Sequence, residues 1–406
     1  MSAAAPDGEP VPPDGQLPAS ALGCATRQPF GIYVHIPFCG TRCGYCDFNT
    51  YTAAELGPGV SRGSYADLAI AEVRLARRVL GAADVPVRSV FFGGGTPTVL
   101  PPADLGKILS AIGVEFGFER GVEVTAEANP ETVDERSLSA LRGHGINRMS
   151  FGMQSAAPHV LEVLDRVHTP GRPARCVAWA RAAGFTGVNL DLIYGAPGET
   201  DQDWARSVAA AIAAGPDHIS AYSLIVENGT RLAARIARGE LPAPDDDAAA
   251  DRYLAADDML AARGLAWYEI SNWAAGEQSK CRHNLLYWTD GNWWGIGPGA
   301  HSHVGGTRWW NVKHPAAYAT RLAAGVSPGH AREIVTPGQR ELEQIMLRTR
   351  LASGCPVGLL GTGGRAAAKR AVAAGLADTA AYGSGRVVLT RRGRLLADAV
   401  IRDLTD

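Results

Sequence analysis

Charge of one sign is missing from this chain: 39 Lys and Arg stand against 41 Asp and Glu, a formal net charge of −2 over 406 residues. No global field therefore draws nucleic acid or an anionic membrane toward it. Long apolar runs are missing too, since nothing approaches the roughly 18 uninterrupted residues of a spanning helix. The opening MSAAAPDGEPVPPDGQLPAS has neither a basic n-region nor an apolar h-region, so residues 1–28 are expected to be a disordered, Pro-rich leader on a cytoplasmic protein. Cysteine is scarce and odd in number, seven in all, with Cys24, Cys176, Cys281 and Cys355 scattered singly. That excludes a disulfide framework and fits a reducing compartment. The length excludes one small domain.

The remaining three cysteines are crowded into CGTRCGYC, as Cys39, Cys43 and Cys46. Zinc wants four ligands, and no further Cys or His follows closely enough to complete a set. An iron–sulfur cluster held by three thiolates leaves one iron open to an exogenous ligand. By analogy with catalytic zinc, an open position means chemistry or substrate chelation.

Short β-rich runs alternate with helical patterns: GIYVHI from Gly31, SVFFGG from Ser89, VEVTAEAN from Val122, RMSFGMQS from Arg148, VNLDLIYG from Val188 and HISAYSLI from His218. Such βα repeats predict an α/β fold with a parallel sheet and crossover helices on its faces. Chemistry then belongs at the C-terminal edge of the strands, as in barrels. GGGTP (Gly93–Pro97) lets backbone approach a ligand closely, or simply makes a tight turn. Glu127 closes a strand, and alternation puts Asp191 on one face with Asn189 and Ile193. Either acid could be satisfied inside a barrel by backbone or Arg, or could face a ligand's hydroxyls. Gln154 and Arg166 are ordinary polar residues by themselves.

Farther on, PDDDAAADRYLAADDMLAARG predicts an acidic helix with a solvated start, and LAWYEISNWA one further strand. The segment Cys281–Asn311 holds five of the nine tryptophans and three histidines. The tail from about Arg340 resembles a small winged-helix module, with RVVLTRRGR as a basic wing. DNA binding is disfavoured by the balanced charge. The expected division is 1–28 leader, 29–240 partial barrel, 241–330 barrel extension and linker region, and 331–406 a C-terminal α+β winged-helix-like domain.

CxxxCxxC directly after a first strand is the signature of radical S-adenosylmethionine proteins. YVHIPFCxxxCxxC, FFGGGTPT, EANPE, RMSFGMQS, NLDLIYGAPGET and AYSLIVENGT together resemble the branch that holds the coproporphyrinogen dehydrogenases and the heme chaperones, from about Phe30 to the C-terminus. The resemblance implies a partial (β/α)6 radical SAM barrel. It implies that Cys39, Cys43 and Cys46 hold a [4Fe-4S] cluster, and that Tyr33, Gly94, Gly95, Thr96, Glu127, Gln154, Arg166 and Asp191 contact S-adenosylmethionine. In the dehydrogenases some of these positions serve a second cofactor molecule.

Two features separate the sub-branches. The dehydrogenase pattern is CxxxCxxCxC, whereas Asp47 and Phe48 follow Cys46 here. The chaperones instead show CDF and HNxxYW, and this chain has HNLLYW: His283, Asn284, Tyr287 and Trp288. Neutral imidazole is a common heme ligand and flat aromatics suit a porphyrin, while a histidine among aromatics is more usually just packed. With the resemblance, heme binding is the expectation, with His301, His303 and Cys281 as lesser candidates for a second ligand and Cys355 as structural. Two functions follow: a heme chaperone serving apo-hemoproteins such as respiratory enzymes, or an enzyme. In the enzyme, reductive cleavage of S-adenosylmethionine gives a 5′-deoxyadenosyl radical that takes hydrogen from a propionate of coproporphyrinogen III, and carbon dioxide is lost. The expected partners are heme, those apo-hemoproteins and an electron donor, with no nucleic acid; transient membrane contact and dimerisation are further expectations.

Overall fold

The computed structural model describes residues 8–56 and 61–406. After a short β1 (Glu9–Pro10), six strands pair in parallel in sequence order: β2 (Phe30–Ile36), β3 (Val87–Gly94), β4 (Phe118–Ala128), β5 (Arg148–Gln154), β6 (Gly187–Tyr194) and β7 (His218–Ser223). Their period-two pattern sorts the side chains. Ile32, Val34, Val90, Phe92, Met149, Phe151, Val188 and Leu190 face outward and are fully buried. Crossover helices such as Arg62–Leu80, Pro102–Phe116, Glu135–Gly143, Arg172–Ala182 and Asp201–Ala213 cover them. Each such side chain contributes about 1.5–3 kcal/mol on burial. Capping boxes at Ser61, Asp134 and Thr200 start three of these helices where the sequence leaves a loop.

The sheet stays open and grows on both sides. A hairpin of β8 (Ala266–Glu269) and β9 (Asn272–Ala274) follows β7, so LAWYEISNWA is two strands rather than one; Ser271, at φ 83°, makes the turn. On the other side β10 (Asn292–Ile296) joins β2 in parallel, followed by antiparallel β11 (His301–Val304), β12 (Thr307–Asn311) and β13 (Gly329–Ile334). The expected boundary at 330/331 thus falls inside a strand, and the C-terminal unit starts with the helix Pro337–Arg348.

The disordered leader is corrected from Gly8 onward; residues 1–7 lie outside the described residues. β1 pairs with the sheet edge at Arg332 and Ala331, Ser327 N–H donates to Pro13 O, and Leu17, Ala21 and Ala25 are buried. Composition misleads here because a Pro-rich strap needs no core of its own: it lies along the edge strand, where missing N–H groups cost little.

The acidic stretch does open a helix, Asp246–Ala261, with Asp245 as its cap. The C-terminal unit packs five helices and the strand pair Cys355–Pro356 with Arg386–Val387 around its own core, which includes the buried Cys355. Its basic stretch turns inward. Arg391 and Arg394 pair with Asp257 and Asp258, Arg394 lies 4.5 Å over the Trp267 ring, and Arg386 donates to the carbonyls of Ser353 and Gly354. Among the described residues no helix is long and apolar enough to cross a membrane.

Deleting residues 1–28 is expected to cost about 2–4 kcal/mol and to lower Tm by a few degrees in a thermal melt. An unchanged Tm would restore the disordered leader.

Candidate cofactor site at the mouth of the sheet

The loop leaving β2 carries Cys39, Cys43 and Cys46, all free thiols, Cys39 buried and the other two half-buried. The loop is pinned to the next βα turn by two backbone bonds: Gly95 N–H donates to Ile36 O and Thr96 N–H to Phe38 O, both at 2.8 Å. Only glycine permits this, since a Cβ on Gly95 would come within 2.5 Å of Phe38 O and 3.0 Å of Cys39 Sγ. Arg166 Nη1 donates to Cys43 Sγ at 3.4 Å. Burial pushes the Cys39 and Cys46 thiols up. Among the described residues no three His, Cys, Asp or Glu side chains surround a point that could hold one metal ion. Three thiols on one loop, not converging on a single ion, suit a cluster whose irons each take one sulfur.

Beside the loop, the strand ends bring the predicted cofactor residues to one rim. Gly94 adopts φ 109°, and its N–H donates to Glu127 Oε2 at 3.2 Å. Burial, then repulsion from Asp191, pushes the Glu127 carboxyl up to about 8 against that bond. Gln154 sits in the left-handed region at φ 64°, after an irregularity in the β5–β6 register. Arg166 Nη2 reaches back to Gly152 O at 2.9 Å, which leaves its Nε without a partner. A strained non-glycine residue beside an unpaired guanidinium nitrogen makes an edge suited to holding a polar ligand.

Tyr33, Phe91, Glu127 and Asp191 line a cavity of about 170 Å³ inside the sheet, together with Arg148 and the HNLLYW segment. Asp191 is held by Ser150 Oγ at 2.8 Å and Asn189 Nδ2 at 2.7 Å, and a chain of bonds continues from Asn189 to His218 and on to Tyr268. Sequence reasoning put Asn189 on the face of Asp191 but passed over Ser150, Ser220 and His218, although their alternation with apolar neighbours was the available signal. It also passed over His168, two residues beyond Arg166, whose ring nitrogens have no partner. Burial, then Arg166, brings its pKa down to about 4.

HNLLYW forms a short helix, Arg282–Trp288, that closes the floor of this cavity. Glu123 on β4 holds its start by accepting the backbone N–H groups of Arg282 and His283 and the Cys281 thiol. The floor fits because Gly31 has no side chain: a Cβ there would lie 2.9 Å from Leu286 and 3.4 Å from His283 Nδ1. His283 is 1% exposed, stacks on Phe91 at 5.2 Å, and has both ring nitrogens engaged, Nδ1 with Ser89 Oγ at 2.9 Å and Nε2 with Tyr287 OH at 2.7 Å. Burial lowers its pKa to about 3. An iron bond to His283 therefore requires one of these hydrogen bonds to break. Asn284 and Trp288 turn toward the buried Glu269 carboxyl and favour its charged form without closing a hydrogen bond to it, since Oε2 stays unpaired. Cys281 and His303 are buried as well, and His303 Nδ1 is bonded to Gly291 O at 2.9 Å.

The radical SAM superfamily pattern matches residues 33–211. The Mycobacterium tuberculosis (strain ATCC 25618 / H37Rv) heme chaperone HemW is 51% identical over 391 residues, 96% of this chain and 98% of that one. The chain belongs to the HemW family. The Bacillus subtilis (strain 168) heme chaperone HemW is 34% identical over 79% of this chain and 83% of its own length. Coproporphyrinogen III oxidase (HemN) from Escherichia coli superposes with a TM-score of 0.81 over 95% of this chain and 92% of that one, at 21% identity; it shows the shared fold. Membership in the radical SAM superfamily brings a [4Fe-4S] cluster and S-adenosylmethionine, and in this HemW-family chain the cysteine loop and the unpaired groups beside it fit both.

Gly95→Ala is expected to displace the cysteine loop, so that reconstituted protein carries less than half the parent's iron and shows a weaker absorbance band near ~400 nm, with helix content unchanged by circular dichroism. Parental iron content would refute the pinning argument.

Proposed function

We propose that this chain binds heme and delivers it to apo-hemoproteins, respiratory enzymes among them, and that the cluster and S-adenosylmethionine govern the transfer. The observation that carries this reading is the match over nearly the whole chain to a protein named heme chaperone HemW. Asp47 and Phe48 support it, since they stand where the dehydrogenase pattern asks for a further cysteine. So does the character of the mouth, where Phe48, Val167, Tyr222 and Ile225 are exposed at strand ends and on the loops beyond them. An apolar rim around a polar lumen suits a flat porphyrin with polar edges.

In this proposal Cys39, Cys43 and Cys46 hold the cluster, while Gly94, Gly95 and Thr96 offer backbone to S-adenosylmethionine. Tyr33, Glu127, Gln154, Arg166 and Asp191 supply its polar contacts. When bound, the cluster supplies an electron and an open iron for the amine and carboxylate of S-adenosylmethionine. The HNLLYW residues act from the floor: His283, Asn284, Tyr287 and Trp288 fix the wall against which heme lies, and His283 becomes an iron ligand only by releasing Ser89 or Tyr287. The protein works in the cytoplasm with an electron donor, and both dimerisation and membrane contact belong to the delivery step. Coproporphyrinogen dehydrogenation is the second reading, favoured by the fold shared with HemN.

Anaerobic titration of the cluster-reconstituted protein with heme is expected to saturate near one heme per chain in the Soret band. The same protein, given coproporphyrinogen III, S-adenosylmethionine and reductant, is expected to form no protoporphyrinogen. Cluster-dependent protoporphyrinogen formation with unsaturable heme binding would reverse the assignment.

A further inference from the structure

His301 opens β11 on the same face of the sheet as the cavity wall. The register shows this: Gly295 on β10 pairs with Tyr33, Trp293 with Gly31, and Trp293 in turn with His303, so alternation puts His301 and His303 on the inner face with Tyr33. Four other histidines face this interior, and each is buried with a ring nitrogen engaged: His35 with Tyr33 and Asn49, His218 with Asn189 and Tyr268, His283 with Ser89 and Tyr287, His303 with Gly291. His168, at the edge beside Arg166, has unpartnered ring nitrogens, but both are buried. His301 differs. Its side chain is exposed, and neither ring nitrogen has a hydrogen-bond partner among the described residues.

Its position is nevertheless built. The ring lies nearly parallel to Trp310, centroids 5.9 Å apart at 23°. Its own carbonyl accepts Trp293 Nε1–H at 3.0 Å. The preceding glycine loop is laced to the cluster loop, because Asn49 Nδ2 donates to Pro298 O at 3.0 Å and Lys313 O at 2.8 Å, and Tyr51 OH adds a bond to Lys313 O. Asn49 follows the exposed Phe48 in the loop, and the Lys313 cation acts on His301. Partial burial, then Lys313 and Arg308, lowers the pKa of His301, and neutral imidazole is the form that ligates iron.

We infer that His301 is the side chain that ligates heme iron, at the rim where the cluster loop meets β11, with Phe48 against the porphyrin face and Lys313 placed for a propionate. The inference rests on the proposed heme-binding function and names the ligand within it. It assigns HNLLYW the supporting wall and puts the exchangeable bond where an incoming apo-hemoprotein can reach it. Since only coordination is proposed, the iron keeps its oxidation state and imidazole gives up no proton.

The test uses the full-length, cluster-reconstituted protein, ferric heme, and the variants His301→Gly and His303→Gln. His301→Gly is expected to bind heme at least tenfold more weakly, to lose the imidazole-ligated Soret and electron paramagnetic resonance signals, and to regain them when free imidazole is added. Its iron–sulfur content should stay parental. His303→Gln should keep the parental spectrum. A His301→Gly protein with parental affinity and spectrum overturns the assignment and leaves the chaperone reading standing, whereas a parent protein that binds no heme overturns both.

Discussion

Two backbone hydrogen bonds, from Gly95 N–H to Ile36 O and from Thr96 N–H to Phe38 O, hold the cysteine loop against the neighbouring βα turn. Everything at the mouth of the sheet follows from that contact. It needs a residue without a Cβ at 95, it fixes Cys39 beneath the turn, and it presents Gly94 N–H to Glu127. The loop's far end, at Asn49 and Tyr51, then ties to the carbonyls of Pro298 and Lys313. The mouth of the sheet is thus built around one loop stitched on both sides.

The floor obeys a different constraint. A parallel sheet with a polar inner face must satisfy its carboxylates from within, and Glu123 does so by capping the HNLLYW helix while Asp191 is held by Ser150 and Asn189. Glu127 has a single backbone donor, which is why burial raises its pKa so far. The unmet acceptors and donors at this edge, Arg166 Nε and the His168 ring among them, gather where a charged, hydroxyl-rich cofactor would supply partners.

Much of this was legible before the structure. Period-two runs placed the six successive strands β2–β7, though not the parallel β10, and CxxxCxxC after the first of them picked out the cysteine loop. What escaped was long-range. Nothing local in EPVPPDGQ says that it lies on an edge strand more than 300 residues away, where Arg332 meets Glu9. Aromatic residues beside a histidine look alike whether they line a pocket or fill it, so HNLLYW left both readings open; Ser89 and Gly31, against which His283 packs, sit on separate strands far away in the sequence. His301 ranked low for the same reason, since its exposure depends on where β10 pairs.

Delivery is the central claim, and direct transfer tests it most closely. Heme-loaded protein is mixed with an apo-hemoprotein under anaerobic conditions, with an excess of a heme scavenger present, and the recipient's Soret band is followed over time. The account predicts that the recipient fills despite the scavenger, at a rate that rises with recipient concentration. Heme captured by the scavenger instead, at a rate independent of the recipient, would show a protein that stores or merely releases heme, and would contradict the account.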